Sequence, residues 1–272
     1  MKSATKDSPA SAQTVARAIR LLRLIASSQT RNLRLIDIAE MADLDKSTAH
    51  RLLNRLVDER MLARDAGERG YRLGPLLYEF GLAALPETNL REISESALRD
   101  LAHQTGDMAF LIVRSGYETV CMNRIAGNFE IQTLTRNVGD RHPLGAGAGG
   151  LAILAALSDQ EIRLIVSAIG PQLPRYHLTE EALWERVRKT RETGRAIDEG
   201  CAALDITAIG RVIRNKNSSP IAAVFVASIS SRMDPRHQAR ANQHLITCVS
   251  RIETELNRQQ LPGATGIGPH PE

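Results

Sequence analysis

Residues 44–62 read LDKSTAHRLLNRLVDERML, and this stretch decides the fold of the first quarter of the chain. Its apolar residues recur at the spacing of one helix face, which predicts an amphipathic helix. Asp45 or Ser47 can cap the start of this helix. The opposite face carries hydrogen-bond donors and cations, with no acid before Asp58. The predicted buried stripe is Ala49, Leu52, Leu53, Leu56 and Val57.

Two helices are predicted before this stretch and two short strands after it. The first helix starts at Val15, with Thr14 as its cap, and its predicted buried positions follow a 3.6-residue period. A second, shorter helix spans 36–42, with Ile38, Ala39 and Ala42 facing inward. Strands at 61–65 and 70–73 flank the turn AGERG and form a hairpin. Three helices and a trailing hairpin are the parts of a winged helix-turn-helix. The buried positions predicted for the first helix are Val15, Ala18, Ile19, Leu22, Ile25 and Ala26.

The polar face of the third helix predicts DNA binding. A helix fits the major groove, where Arg51 suits guanine or phosphate and Asn54 suits adenine. Arg69 and Arg72 on the hairpin suit backbone phosphates or the minor groove. The alternative is a merely solvated polar face, but the complete order of helices and hairpin favours DNA. The predicted contacts are Lys46, Ser47, Thr48, His50, Arg51, Asn54, Arg55, Arg69 and Arg72.

The charge distribution agrees with a polyanion-binding N-terminal domain. Residues 1–73 hold 14 Lys and Arg against 9 Asp and Glu, whereas the remainder holds 21 against 22. A basic small domain beside a nearly neutral large one is typical of a nucleic-acid-binding head on a different kind of body.

The identities at the exposed positions are more specific than a general helix-turn-helix pattern. KSTAHRLLNRLVDERML, followed by YRLG and preceded by VARAIRLLRLIA, closely resembles the DNA-binding domain of the isocitrate lyase regulator (IclR) family. That family carries Lys-Ser-Thr-x-His-Arg-Leu-Leu at the start of its recognition helix. The resemblance implies a bacterial transcription regulator that binds double-stranded operator DNA.

The remainder of the chain predicts a linker and an α+β domain. Residues 74–85 form a short helix apolar on two faces, either a dimer contact or a helix packed on its own domain, and 86–89 form a hinge. A hairpin with Gly116 at its turn follows the long helix 90–104, and 129–139 predict a third strand. Helices are predicted at 149–157, 159–168 (capped by Ser158), 179–193 and 235–258. Strands are predicted at 196–198, 206–214 and 221–229.

This α+β pattern resembles the GAF-like effector domain of the same family. The predicted domains are a disordered leader (1–13), a winged helix-turn-helix (14–74), a linker (75–89), an effector-binding domain (90–260) and a disordered tail (261–272). The resemblance also implies a homodimer or a dimer of dimers.

The glycine-rich stretch LGAGAGGLAIL contains GxGxxG at Gly145, Gly147 and Gly150. A dinucleotide site needs a strand directly before such a motif, and we expect none in the preceding residues 141–144. The sequence has no GK[ST] either, so neither nucleotide fold is expected. A Gly/Ala loop that opens a helix still leaves backbone N–H groups free to bind an anion.

The resemblance also implies an effector pocket. The family motif GxRxPLHxxAxGKxxLA reads GDRHPLGAGAGGLAILA here, with Gly145 and Leu151 replacing its His and Lys. The family's aspartate matches Asp198, and its Cys, Ser and Ser positions match Ala208, Phe225 and Ala227. The implied effector residues are Leu144, Ala148, Gly149, Asp198, Ala208, Phe225 and Ala227.

The lost polar groups favour an effector that is larger and less polar than a two- or three-carbon keto acid, such as an aromatic carboxylate. Its anionic end would face the Ala148 and Gly149 amides, its ring would contact Phe225, and Asp198 would accept from a hydroxyl. Phe225 as a plain core residue is the alternative.

Other classes of protein have little support. Cys121, Cys201 and Cys248 are far apart and form no metal or disulfide pattern, which fits a reducing cytoplasm. No leader or membrane-spanning stretch is apparent, so a soluble cytoplasmic protein is expected. No catalytic residue, metal or cofactor is predicted. An enzyme with an accessory DNA-binding domain and a constitutive DNA-binding protein remain as alternatives.

Overall fold

The computed structural model describes residues 9–27, 33–64, 70–83, 89–129 and 136–259. The chain divides into two units, Met1–Pro86 and Glu87–Glu272. The first unit is the predicted winged helix-turn-helix, and the second is the predicted α+β domain.

The N-terminal unit packs its helices against a three-stranded antiparallel sheet of order β1-β3-β2. Its core contains Leu21, Ile38, Leu53 and Leu62, each at most 2% exposed. The third helix therefore packs its apolar face into the core and leaves its polar face in contact with solvent, as its amphipathic pattern predicts. The elements are α1 (Pro9–Ser27), β1 (Leu33–Arg34), α2 (Leu35–Met41), α3 (Lys46–Asp58), β2 (Leu62–Arg64), β3 (Gly70–Leu73) and α4 (Pro75–Ala83).

The first helix differs from its prediction at the N-terminal end. It begins at Pro9, so Thr14 lies inside it and does not cap it, and the expected leader is shorter than 13 residues. Proline is tolerated in a first helical turn, where no intrahelical N–H partner is needed. Val15 and Ile19 were predicted to be buried but are 61% and 44% exposed, because α1 contacts the core of this unit through Ala18, Leu21, Leu22 and Ile25.

Helix α3 begins at the first of its two predicted caps. The Asp45 carboxylate accepts from the Thr48 backbone N–H at 2.8 Å and from the Ser47 hydroxyl at 2.7 Å. These hydrogen bonds hold the pKa of Asp45 well below its usual value. The cap therefore fixes where the polar face of α3 starts.

The C-terminal unit is a six-stranded antiparallel sheet between two helical layers, in the order β6-β5-β4-β9-β8-β7. Alternate strand residues enter two cores, as a period of two requires. One core joins the sheet to α6–α8 and the other joins it to α5 and α9. The elements are α5 (Leu90–Thr105), β4 (Met108–Ser115), β5 (Glu118–Ile125), β6 (Arg141–Pro143), α6 (Gly147–Ala155), α7 (Asp159–Ile169), a 3₁₀ helix (Gly170–Tyr176), α8 (Glu180–Thr193), β7 (Ala196–Glu199), β8 (Ile206–Arg214), β9 (Pro220–Ile229) and α9 (Pro235–Gln259).

Local signals explain the ends of several helices. Asn89, Ser158 and Thr179 cap α5, α7 and α8 through their side chains. Gly106 and Gly194 end α5 and α8 in the left-handed region, which glycine adopts without a steric penalty. The predicted cap at Ser158 is confirmed.

The segment around β6 corrects two expectations. Residues 141–143 form a short strand, although none was expected before the glycine-rich motif. Its pairing with β5 is antiparallel, so the parallel strand–helix–strand unit of a dinucleotide fold is still not formed. Of the expected third strand, 130–135 lie outside the described residues, and 129 and 136–139 are not in a strand.

Candidate nucleic-acid interface and ligand site

The polar face of α3 lies on the surface of the N-terminal unit. Lys46, His50, Arg51 and Arg55 are exposed, and Thr48 and Asn54 are partly exposed. Ser47 is also exposed, but its hydroxyl is engaged in the Asp45 cap. The helix thus presents its predicted contact residues to solvent together, over little more than two turns.

The charges on this face are not equally available. Arg55 pairs with Glu59 one turn later at 2.5 Å, an exposed pair of the kind that contributes little stability. Arg51 and Lys46 form no ion pair among the described residues. Arg51 and Lys46 are therefore the cations on α3 that can engage DNA without breaking an ion pair that the structure describes, and the forked guanidinium of Arg51 suits a guanine as well as a phosphate.

Arg64, at the end of β2, contacts the polar face of α3 and was not among the residues predicted to bind DNA. Its guanidinium donates to the Asn54 side-chain oxygen, and it lies over the Tyr71 ring with its Cζ 5.6 Å from the ring centroid. The Asn54 amide in turn lies 3.4 Å from His50 Nε2. Arg64 pairs across the hairpin with Tyr71. The alternation of side chains along β2 was therefore the sequence signal that could have indicated which face of the hairpin Arg64 occupies.

The hairpin residues predicted to contact DNA are only partly described. Arg72 lies on β3 with an exposed side chain. Arg69 falls within 65–69, outside the described residues.

The residues of the predicted effector site come together between α6 and one face of the sheet. Asp198, Ala208 and Ala227 lie side by side on β7, β8 and β9, in one row across the sheet. Phe225, two residues before Ala227, shares their face. Leu144, Ala148 and Gly149 approach this face from the start of α6, and Leu144 and Ala148 belong to the same buried cluster as the sheet residues.

Helix α6 packs closely on this face, against backbone at Gly210 and against the Ile112 and Phe225 side chains at Gly149. A Cβ on Gly210 would lie 3.0 Å from the Ala148 carbonyl atoms, and one on Gly149 would lie 2.8 Å from the Phe225 ring. Three cavities, of about 190, 410 and 600 Å³, are lined by residues other than those predicted to bind the effector.

Phe225 is a core residue, which resolves the alternative left open by the sequence. It is 4% exposed and stacks on Phe110, with ring centroids 4.6 Å apart and planes 8° from parallel. The Arg136 guanidinium lies over the same ring, 5.6 Å from its centroid. A bound aromatic ring can therefore reach Phe225 only where these partners leave it uncovered.

Asp198 is buried and already bound on both oxygens. One accepts from Arg186 at 2.6 Å and the other from the Ala202 backbone N–H at 3.1 Å. The other Arg186 terminal nitrogen, Nη1, is buried without a hydrogen-bond partner. Since a carboxylate offers about four acceptor positions, Asp198 can still accept from a ligand.

Arg136 stands beside the start of α6 and was also missed. It is 3% exposed, and its terminal nitrogens donate to the Thr119 hydroxyl at 3.3 Å and to the Ala146 carbonyl at 3.2 Å. In the sequence it stands near the end of the stretch 129–139, which was predicted as a strand. No periodic or spacing signal marks it as buried.

Burial controls the titration of the groups near Arg136. It lowers the pKa of His142 to about 3, with a further lowering from the charge of Arg136. Burial also raises the pKa of the Cys121 thiol to about 11. His142 is therefore neutral and Cys121 is a thiol at neutral pH, so neither acts as a charged ligand.

The described residues form neither a metal site nor a membrane-spanning helix. No group of three or more His, Cys, Asp or Glu side chains could hold a metal ion there. No helix in the same ranges combines the length and the apolar character needed to cross a bilayer. Burial also raises the pKa of Cys201, so this thiol is not activated as a nucleophile.

Two family descriptions together match most of the chain. Residues 14–66 match the IclR helix-turn-helix domain, and residues 82–254 match the bacterial transcriptional regulator IclR C-terminal domain. The HTH-type transcriptional regulator XynR of Escherichia coli K12 is 28% identical over 235 residues, which cover 86% of this chain and 92% of that protein.

Two solved structures share the fold. An IclR transcriptional regulator from Alicyclobacillus acidocaldarius has a TM-score of 0.75 at 23% identity, covering 90% of this chain and 99% of its own. An IclR homologue from Microbacterium hydrocarbonoxydans, solved in complex with 4-hydroxybenzoate, has a TM-score of 0.71 at 24% identity, covering 89% of this chain and 98% of its own.

Proposed function

Because the chain belongs to the IclR family of bacterial transcriptional regulators, we propose that it regulates a catabolic operon in response to a small organic acid. Its relatives are named as transcriptional regulators and not as enzymes. The observation that carries the proposal is the exposed cationic face of a capped α3 within a winged helix.

We assign DNA contact to this face of α3 and to the hairpin. Arg51 is the principal cation, and Asn54 contributes base recognition with Arg64 as its neighbour. Lys46, Ser47 and Thr48 start the helix and are suited to phosphate oxygens, with His50 and Arg55 further along it. Arg69 and Arg72 are assigned to the backbone beside the groove.

We assign the effector to the start of α6 and the sheet face on which it packs, so binding there requires α6 to move away from the sheet. Its lining would comprise Leu144, Ala148, Gly149, Ala208 and Ala227, with Asp198 accepting from a hydroxyl and Phe225 supporting the site. The small, apolar side chains of β8 and β9 favour a ring over a short keto acid. A hydroxylated aromatic acid, such as the 4-hydroxybenzoate bound by the Microbacterium homologue, provides an anion and a hydroxyl donor.

Exposed apolar side chains support a homodimer or a dimer of dimers. Val15 and Ile19 on α1, and Tyr78 and Phe80 on α4, are between 44% and 72% exposed. A dimer would place two α3 helices on successive half-sites of a pseudo-palindromic operator. A difference of about 1–3 kcal/mol between liganded and free states would suffice to switch DNA binding.

A mobility-shift titration tests the proposal. The purified protein is mixed with duplexes from its own genomic locus over a range of salt concentrations, with and without aromatic and keto acids. Salt-sensitive binding that changes with an acid is expected. Binding that no metabolite changes would indicate a constitutive DNA-binding protein, and turnover of an added acid would indicate an enzyme.

A thermal-shift screen tests the class of effector. Stabilisation by benzoate or 4-hydroxybenzoate is expected. Stabilisation by glyoxylate, with no response to any aromatic acid, would reject the aromatic assignment and leave the DNA-binding role intact.

A further inference from the structure

The buried arginine beside α6 has no counter-charge among the residues that the structure describes. Arg136 is 3% exposed, and both hydrogen bonds of its terminal nitrogens go to neutral acceptors. The carboxylates that influence it are engaged elsewhere, Asp198 with Arg186 and Asp140 with the Asn137 backbone N–H. Within the described ranges, Arg136 forms no ion pair. An ionised group buried in this way is costly unless an anion joins it.

The start of α6 adds to the same positive potential. One terminal nitrogen of Arg136 bonds to the Ala146 carbonyl and lies 2.9 Å from where a Cβ on Gly147 would be. Helix α6 has no acid in its first turn and no side-chain cap. Since a helix N-terminus carries a partial positive charge, the guanidinium and the helix end are adjacent groups of like sign.

A buried polar atom of His142 lacks a hydrogen-bond partner. Among the described residues, His142 Nδ1 accepts and donates no hydrogen bond, and His142 is neutral because its pKa lies at about 3. Thr119 connects His142 with Arg136, since its hydroxyl accepts from Arg136 and donates to the His142 carbonyl. An unpaired ring nitrogen and a guanidinium without a described counter-charge thus share Thr119 at this edge of the sheet.

From these contacts we propose that Arg136 binds the carboxylate of the effector, between the start of α6 and the β5–β6 edge. The inference rests on the proposed function and adds to it the residue that recognises the acid. A guanidinium matches the two oxygens of a carboxylate with two parallel hydrogen bonds. One cation among apolar side chains suits a monoanionic organic acid and not a phosphate, which carries more charge. Arg136 lies directly beside Gly147, and so does Ala202, whose backbone N–H donates to Asp198. One ligand that bears both an acid and a hydroxyl can therefore contact both Arg136 and Asp198.

The test compares the full-length protein with Arg136→Met and with a matched control, Arg114→Met. Arg114 lies on β4 and is paired with Glu161 at 2.8 Å, outside the proposed site. Each protein is titrated with benzoate, 4-hydroxybenzoate and neutral benzamide by calorimetry and thermal shift. We expect R136M to bind the acids about 10- to 100-fold more weakly, the worth of a charged hydrogen bond, while R114M binds as the unaltered protein does.

Equal acid affinity in R136M overturns the inference and leaves the proposed regulator intact, since ligand-dependent DNA binding is measured separately. If R136M does not fold, Arg136→Lys replaces it in the titration: weaker binding of the acids supports the inference, and unchanged affinity overturns it.

If no acid of this series binds the unaltered protein, the melting temperatures of the ligand-free proteins decide. R136M at or above the unaltered protein supports a charge held for a ligand, whereas R136M below R114M shows a structural role and overturns the inference.

Discussion

At the residue scale, the DNA-binding role depends on which cations of α3 are already committed. Arg55 is engaged with Glu59, and Asn54 accepts from Arg64. Arg51 has no such ion pair among the described residues, so its replacement would remove the proposed DNA contact without disturbing an ion pair within the protein.

Replacing Arg51 with alanine should weaken operator binding by about 1–3 kcal/mol if it reads a guanine. If it contacts a phosphate instead, binding should weaken on all sequences alike and the salt slope should fall by about one. Fluorescence anisotropy over a salt series distinguishes these two results. Arg99→Ala, which removes an exposed arginine of α5 paired with Glu95, is the control and should bind DNA normally. Unchanged operator affinity in Arg51→Ala would show that this helix is not the recognition element.

His142 should make stability depend on pH. Its pKa is lowered from 6.5 to about 3 by burial and by Arg136, so between these values the unfolded chain binds a proton that the folded chain does not. Stability is therefore retained above about pH 6.5 and lost as the pH falls toward 3, by about 1.4 kcal/mol per pH unit for this proton.

The corresponding test is urea denaturation of His142→Leu between pH 7.5 and 4.5. This variant should lose less stability on acidification than the unaltered protein does. His103→Leu, on the exposed side of α5, should follow the unaltered protein. Parallel pH curves for His142→Leu and the unaltered protein would contradict the assignment.

The sequence predicted residues whose role follows from local spacing and missed those placed by tertiary packing. Asp45 was one of two expected caps because the helix start could be located from its apolar period. Arg136 could not be found in this way, since the contacts that define it come from strands and helices distant in the chain, and Arg64 is marked only by the alternation of the short strand β2. The row formed by Asp198, Ala208 and Ala227 came from the family resemblance and not from spacing.

At the scale of elements, the close approach of α6 to the sheet depends on glycine. Gly210 on β8 faces the backbone of α6, where a Cβ would lie 3.0 Å from the Ala148 carbonyl atoms. Backbone cannot rotate away as a flexible side chain can, so the helix itself must move to admit a methyl group.

Gly210→Ala should therefore destabilise the C-terminal unit by about 1–3 kcal/mol, the usual cost of overpacking. Gly81→Ala on α4 is the matched control, because nothing lies within 4 Å of a Cβ at that position. That change should be neutral or stabilising by up to about 1 kcal/mol, since alanine is the better helix former. Chemical denaturation measures both, and equal stability of Gly210→Ala and the unaltered protein would show that α6 moves freely.

Strands and helices with a sustained period were predictable, whereas short or marginal elements were not. The hairpin around Gly116, strands β8 and β9, and helix α9 follow from periods of two and 3.6. The three-residue strand β6 is too short to show a period. The start of α1 before Val15 reads PASAQT, without a large apolar residue, so its sequence resembles that of a polar leader.

At the scale of the whole molecule, the proposed dimer depends on apolar surface that a single chain leaves exposed. Tyr78 and Phe80 on α4 are 72% and 50% exposed. Full burial of such a ring contributes roughly 1.5–3 kcal/mol, so an interface at α4 would account for stable association.

A Tyr78→Ser, Phe80→Ser double variant should shift the equilibrium toward the monomer and weaken operator binding in parallel. Leu164→Ser, which removes a 61% exposed leucine from α7, is the control and should leave association unchanged. Analytical ultracentrifugation measures both. Unchanged association of the double variant would place the interface elsewhere.

The hydrogen bond between Arg64 and Asn54 has a consequence for the proposed base recognition. The Asn54 side-chain oxygen has two acceptor positions, and Arg64 occupies one of them. An adenine amino group that donates to Asn54 must therefore share this oxygen with Arg64 or displace it. If Asn54 reads an adenine, the strength of that contact depends on a residue of the hairpin as well as on α3.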